Sequence, residues 1–238
     1  MSPRSFKLRV QSLIEILLTL GFLTDALSAA LLSPIAALSN PLGSVRALAA
    51  MTLLSSLLML LFIWILLRMH GESMRTLCLG AARPLGRDLR LGLALVPGVF
   101  LVSFLVKSLV RHVAPSLYSG ERNVLEELMR TPADLGLFLV VALVAGGLRE
   151  ELQRAFIIRR FEAGWGPAWL GAALFAVFFG YGHLLQGKDE AIIAGLFGLL
   201  WGGIYVARRN LVATSISHGL YDAAELVRYF FWGPLRFL

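Results

Sequence analysis

The sequence predicts an all-α protein, a polytopic transmembrane bundle of about seven helices. Three observations predict it. Of 238 residues, 58% are hydrophobic and only 16% are charged, against about 25% charged in soluble domains. The mean hydropathy is +0.76. The apolar residues also gather into seven runs, each near the ~20 residues that a membrane-crossing helix needs. A backbone inside lipid must satisfy its own hydrogen bonds, so each run is read as a helix. An ordinary soluble enzyme, a disordered chain and a water-soluble DNA-binding module are excluded.

The spans fall at about 11–34, 47–67, 91–110, 135–158, 167–185, 190–207 and 211–232. Residues 1–9 followed by an apolar run resemble a signal peptide, with Ala26-Leu27-Ser28 as a small-residue cleavage site. Glu15 interrupts that run and the run continues to Leu32, so an uncleaved first span is expected. Residues 68–90 hold Gly71, Gly80, Pro84, Gly86 and several arginines, which reads as a solvated cytoplasmic loop. In 111–134, the stretch Asn123 to Arg130 has a short amphipathic pattern suited to lying along a membrane surface. No linker divides the chain, and residues 1–133 and 134–238 are expected to form one integrated membrane domain. The first part holds the N-terminal helices, the basic loop and the amphipathic connector.

The net charge is +7. The basic residues are scattered between apolar runs with no aromatic-interleaved basic face, so nucleic acid is not the expected partner. In a membrane protein such an excess marks cytoplasmic loops and contact with anionic headgroups. Lys and Arg are about twice as frequent in alternate loops beginning with the N-terminal segment, which places the N-terminus in the cytoplasm. An integral protein of the plasma membrane is expected. Cys78 is the one cysteine, so there is neither a disulfide nor a cysteine-based metal site. No internal repeat is visible, which counts against an inverted-repeat transporter.

Charged residues in a bilayer core are costly and are functional candidates by default. The informative ones lie in the second half: Arg149-Glu150-Glu151 and Arg154, then Phe179 and His183, then His218 and Asp222. Helical spacing groups them. Glu150 and Arg154 are four apart, Glu151 and Arg154 three apart, and either pair can meet on one face. His218 and Asp222 are four apart, so Asp222 can orient the imidazole or share a ligand with it. Carboxylates with two histidines in a low-dielectric cavity suit the activation of water. Taken singly, each of these residues also has a structural reading, as a solvated helix end, an interfacial histidine or a hydrogen-bonded pair. Glu15, Asp25 and Lys107 share no motif and are read as structural or interfacial.

Glu-Glu-x-x-x-Arg, Phe-x-x-x-His and His-x-x-x-Asn/Asp, in this order, resemble the motif set of the CAAX protease and bacteriocin-processing (CPBP, or Abi) family of intramembrane proteases, which includes the type II CAAX prenyl endopeptidases. Here the second motif is Phe179 to His183 and the third is His218 to Asp222. The first departs from the pattern: position 155 is Ala155, and Arg154 lies one place early, a turn of roughly 100° around a helix. The resemblance covers about residues 134–232 and makes 134–238 a CPBP-like catalytic core with the active site inside the bundle.

The resemblance implies hydrolysis of a peptide bond in a membrane-associated protein or peptide, with CAAX-type proteins among the candidates. Glu150 resembles the carboxylate that activates water, with Glu151 as its partner. His183 resembles the histidine that holds or polarises that water. His218 and Asp222 resemble the residues that stabilise the oxyanion or position the carbonyl, with Arg154 and Phe179 in support. The family is described both as glutamate-dependent and as metalloprotease. A zinc site of Glu150, His183 and His218 satisfies ligand number and chemistry, although the sequence has no His-Glu-x-x-His helix. Two further readings stay open: a non-proteolytic membrane scaffold or chaperone of the same fold, favoured by the displaced arginine, and a proton-coupled transporter.

Overall fold

The computed structural model describes residues 3–80, 85–119 and 123–233, and these residues form helices and short connections without strands. Helix α1 (Pro3–Leu18) and α2 (Phe22–Leu32) meet at a bend of 41°. Gly21 makes the bend, at φ +109°, a conformation that costs a residue with a Cβ but not glycine. The side chain of Ser44 accepts the Ala47 N–H at 3.1 Å and so caps α3 (Val45–Met69). Ser73 caps α4 (Met74–Leu79) in the same way. Helix α5 (Leu85–Val113) follows, then a single turn, α6 (Val124–Glu127).

Thr131 and Asp134 form a reciprocal capping box around Pro132 and start α7 (Pro132–Val141). The chain then runs without interruption through a π-helical stretch, Ala142–Glu150, into α8 (Glu151–Gly164). Helices α9 (Ala168–Gly182), α10 (Lys188–Arg208) and α11 (Val212–Trp232) complete the bundle. Small residues let α9 and α10 approach closely, with Ala172, Ala176 and Gly180 facing Gly202, Gly198 and Gly195.

Among the described residues, four helical segments are long and apolar enough to cross a membrane: Val45–Met69, Leu85–Val113, Ala168–Gln186 and Lys188–Arg208. The bent α1–α2 pair raises the number to five if it is one span. Length and composition of the helices alone do not reach the expected seven. Of the two runs that drop out, α7–α8 is divided by the π-helical stretch into pieces of 10, 9 and 14 residues, and α11 carries three charges, Asp222, Glu225 and Arg228. Exposed apolar side chains stand on both groups of helices, Leu57, Leu101 and Val177 on the long apolar ones and Leu143 and Phe231 on the other two runs.

Two connections also differ from expectation. The 68–90 segment contains α4, whose Leu77 is buried, and its acids are tied into the bundle. Glu72 pairs with Arg159 at 2.9 Å and Arg160 at 2.6 Å, while Asp88 pairs with Arg208 and accepts from Asn210. Residues 81–84 lie outside the described residues. The amphipathic stretch at 123–130 supplies only one helical turn. Its Met129 is buried with Val45, Leu135 and Phe138, and Glu126 faces a cavity. Glu15 is structural, as read: it is buried and joined to Arg160 and His70, each at 2.6 Å.

Candidate active site

A cavity of about 560 Å³ lies among α2, α3, α5, α6, the π-helical stretch and α9 to α11. Glu150, Phe179, His183, His218 and Asp222 all line it. Arg154 and Glu151 stand behind its wall, both fully buried.

The π-helical stretch determines this arrangement. Such stretches are uncommon and gather at functional sites. This one ends at Glu150, where Arg149 and Glu150 both line the cavity while Glu151 begins α8 inside the core. Opposite it, α11 comes close because Gly146 and Gly147 have no side chain. A Cβ on Gly146 would lie 2.2 Å from the Asp222 carboxylate, and one on Gly147 would lie 3.2 Å from the Gly219 Cα. His218 and Asp222 therefore rest against bare backbone.

His218 Nδ1 donates to Glu151 at 2.8 Å. Its other nitrogen, Nε2, is 3.4 Å from Asp222 and 3.7 Å from Glu150. Glu151 is paired in turn with Arg154. The arginine expected at 155 is thus supplied from 154, at i,i+3, and to Glu151 rather than to Glu150. Its guanidinium lies over the rings of Phe179, Phe175 and Trp201, 5.0, 5.4 and 5.5 Å from their centroids. Aromatic faces favour a cation at that range, the more so when it is desolvated. Glu150 takes its own cation from the neighbouring Arg149, at 3.4 Å.

His183 ends α9, and its Nδ1 donates to the Phe179 carbonyl at 2.7 Å. The Phe179 ring touches both imidazoles, 4.6 Å from His183 and 6.0 Å from His218 between centroids. His218 therefore stands with Glu150, Glu151 and Asp222, whereas His183 joins them through Phe179 and the shared cavity. Among the described residues, no three His, Cys, Asp or Glu side chains are placed to hold a metal ion. The trio Glu150, His183 and His218 does not form a zinc ligand set in this arrangement.

Two contributors were not read from the sequence. Trp201 packs against His218, and its Nε1–H donates to Ser217 at 3.2 Å. Nothing in its local pattern distinguishes it from the other tryptophans. Arg149 was visible beside the two glutamates, but it belongs to no motif.

These features define an all-helical membrane protein whose cavity holds a carboxylate and imidazole cluster. Residues 132–224 match the family described as type II CAAX prenyl endopeptidase Rce1-like. The match spans Glu150, Glu151, Arg154, Phe179, His183, His218 and Asp222, and agrees with the CAAX-protease resemblance of the three motifs. No curated protein and no solved structure matches the chain.

Proposed function

We propose that this protein is an intramembrane endopeptidase that hydrolyses a peptide bond of a membrane-associated protein, in the manner of the CAAX proteases. One observation carries the reading. His218 is held by Glu151 on one nitrogen and faces Glu150 and Asp222 with the other, on the wall of a cavity within the family-matched segment.

The chemistry follows from the residues. Amide hydrolysis needs a base for water, a donor for the oxyanion and a proton for the leaving nitrogen. Glu150 faces the cavity and takes the proton of the attacking water. The hydroxide adds to the carbonyl carbon as its electron pair moves to oxygen. His218, when it carries a proton on Nε2, donates towards that oxygen, with Asp222 beside it to position the carbonyl. Glu150 then returns the proton to the leaving nitrogen as the C–N bond breaks. His183, with Nδ1 committed to the Phe179 carbonyl, presents Nε2 to help hold the water. Glu151 and Arg154 fix His218 from behind. No step is assigned to a metal, because the donor residues do not converge as a ligand set.

Prenylated CAAX proteins fit the family match as substrates, and the basic loops support a plasma-membrane protein with a cytoplasmic N-terminus. The displaced arginine, which favoured a non-proteolytic scaffold, loses that force because Arg154 still pairs with Glu151. Membranes carrying the native protein or Glu150→Gln provide the test. The substitution keeps shape and removes basicity, so peptide cleavage should fall by about 10²-fold or more. Near-normal cleavage by the variant would overturn the proposal.

A further inference from the structure

Two cations line the cavity, Lys107 and Arg149, and they differ in one respect. Lys107 is engaged by Glu190 at 2.5 Å. Arg149 is not comparably engaged. Its one hydrogen bond among the described residues is the long contact of 3.4 Å to Glu150. Its Nε is buried with no hydrogen-bond partner. Asp25, the acid on the neighbouring α2, accepts instead from Ser55 at 2.5 Å and makes no ion pair with Arg149. Gly21, at the α1–α2 bend, packs close to Arg149 Nη2, where a Cβ on it would stand in van der Waals contact at 3.7 Å.

A mostly desolvated guanidinium seeks a planar anion. It presents its N–H groups as a fixed fork that matches both oxygens of a carboxylate, which an ammonium cannot do. A buried donor without a partner also carries a desolvation cost that an incoming acceptor relieves. Arg149 is the residue before Glu150, so a group bound to it lies close to the atoms that would meet the scissile bond.

We propose that Arg149 is a specificity-determining residue that receives a carboxylate of the substrate next to the bond to be cut. This rests on the peptidase reading above. The carboxylate has two sources, the chain terminus of the substrate or an aspartate or glutamate side chain close to the cut.

The full-length protein in lipid nanodiscs tests this with three versions of one fluorescent peptide: free acid, C-terminal amide, and amide with an aspartate near the cut. Native protein should cleave one of the carboxylate-bearing peptides better than the plain amide by roughly 10- to 100-fold, mainly through KM. A free-acid preference identifies the terminus, and an aspartate preference identifies the side chain. Arg149→Gln should erase the preference. Arg149→Lys, which keeps charge and loses the fork, should retain part of it, and thermal unfolding verifies that both variants are folded. Equal preference in native and Arg149→Gln proteins, or none in the native protein, overturns the inference. Binding of the same peptides to Glu150→Gln, read by anisotropy, separates the two readings. Carboxylate-dependent binding without cleavage by the native protein would sink the peptidase reading and leave the Arg149 site standing. Cleavage with no carboxylate preference would sink the Arg149 site alone.

Discussion

Trp201 lies almost flat on His218, with ring centroids 4.1 Å apart and planes 22° from parallel. Its indole N–H is spent on Ser217, one residue before the histidine. The tryptophan therefore holds both the ring and the backbone turn that carries it.

Trp201→Phe keeps an aromatic face and loses the Ser217 bond, worth about 1 kcal/mol. The expected result is a folded protein with kcat lowered and KM nearly unchanged. Trp201→Leu removes the stack as well, and kcat should fall further. If Trp201→Leu cleaves peptide at the native rate, Trp201 does not position His218.

Arg154 and Glu151 form a fully buried pair. Removing one member leaves the other charge uncompensated, at a cost of about 3–5 kcal/mol. Arg154→Leu should lower the unfolding temperature in detergent and abolish activity together. A silent substitution would show that Arg154 does not organise this wall.

Glu126 lies in the α6 turn, outside the spanning helices. Burial pushes its carboxyl up to about 7, and the nearby Glu225 adds to the effect while Lys107 opposes it. A folded-state value above the unfolded one means that the native protein binds more protons between the two, so stability falls as pH rises through that window. It is highest below about pH 4.5, the ordinary carboxylate value, and lowest above about pH 7. Glu126→Gln should unfold with the native protein near pH 4.5 and a few degrees above it near pH 8 (roughly 2–4 °C per kcal/mol). Equal unfolding temperatures at both values would refute the assignment.

The candidate residues were legible because the motifs use helical spacing. His218 and Asp222 at i,i+4, and Phe179 and His183 at i,i+4, fall on shared faces in any helix. Contacts between distant segments were not legible. Asp88 finds Arg208, and Glu72 finds Arg159 and Arg160, across long stretches of chain, so the 68–90 segment read as a solvated loop. The π-helical stretch has no compositional mark, and without it the neighbours Arg149 and Glu150 could not be assigned to one cavity. Counting apolar runs also gave more spans than helix length and composition support. A run with charges along its inner face, such as α11, counts as apolar by its other residues but fails as a free-standing membrane helix.

The three-ring enclosure of Arg154 has a consequence for biogenesis. Its rings come from α9 and α10, which are synthesised after α8. Inserting α8 alone would leave an arginine in hydrocarbon at a cost of roughly 2.5–3.5 kcal/mol even on the more permissive insertion scales. The segment is thus better retained in the insertion machinery or at the interface until α9 and α10 emerge, so that these helices enter lipid as a group. In ribosome-bound chains truncated before α9, a cysteine placed beside Arg154 in α8 should accordingly react with a water-soluble thiol reagent, and in chains that include α10 it should not.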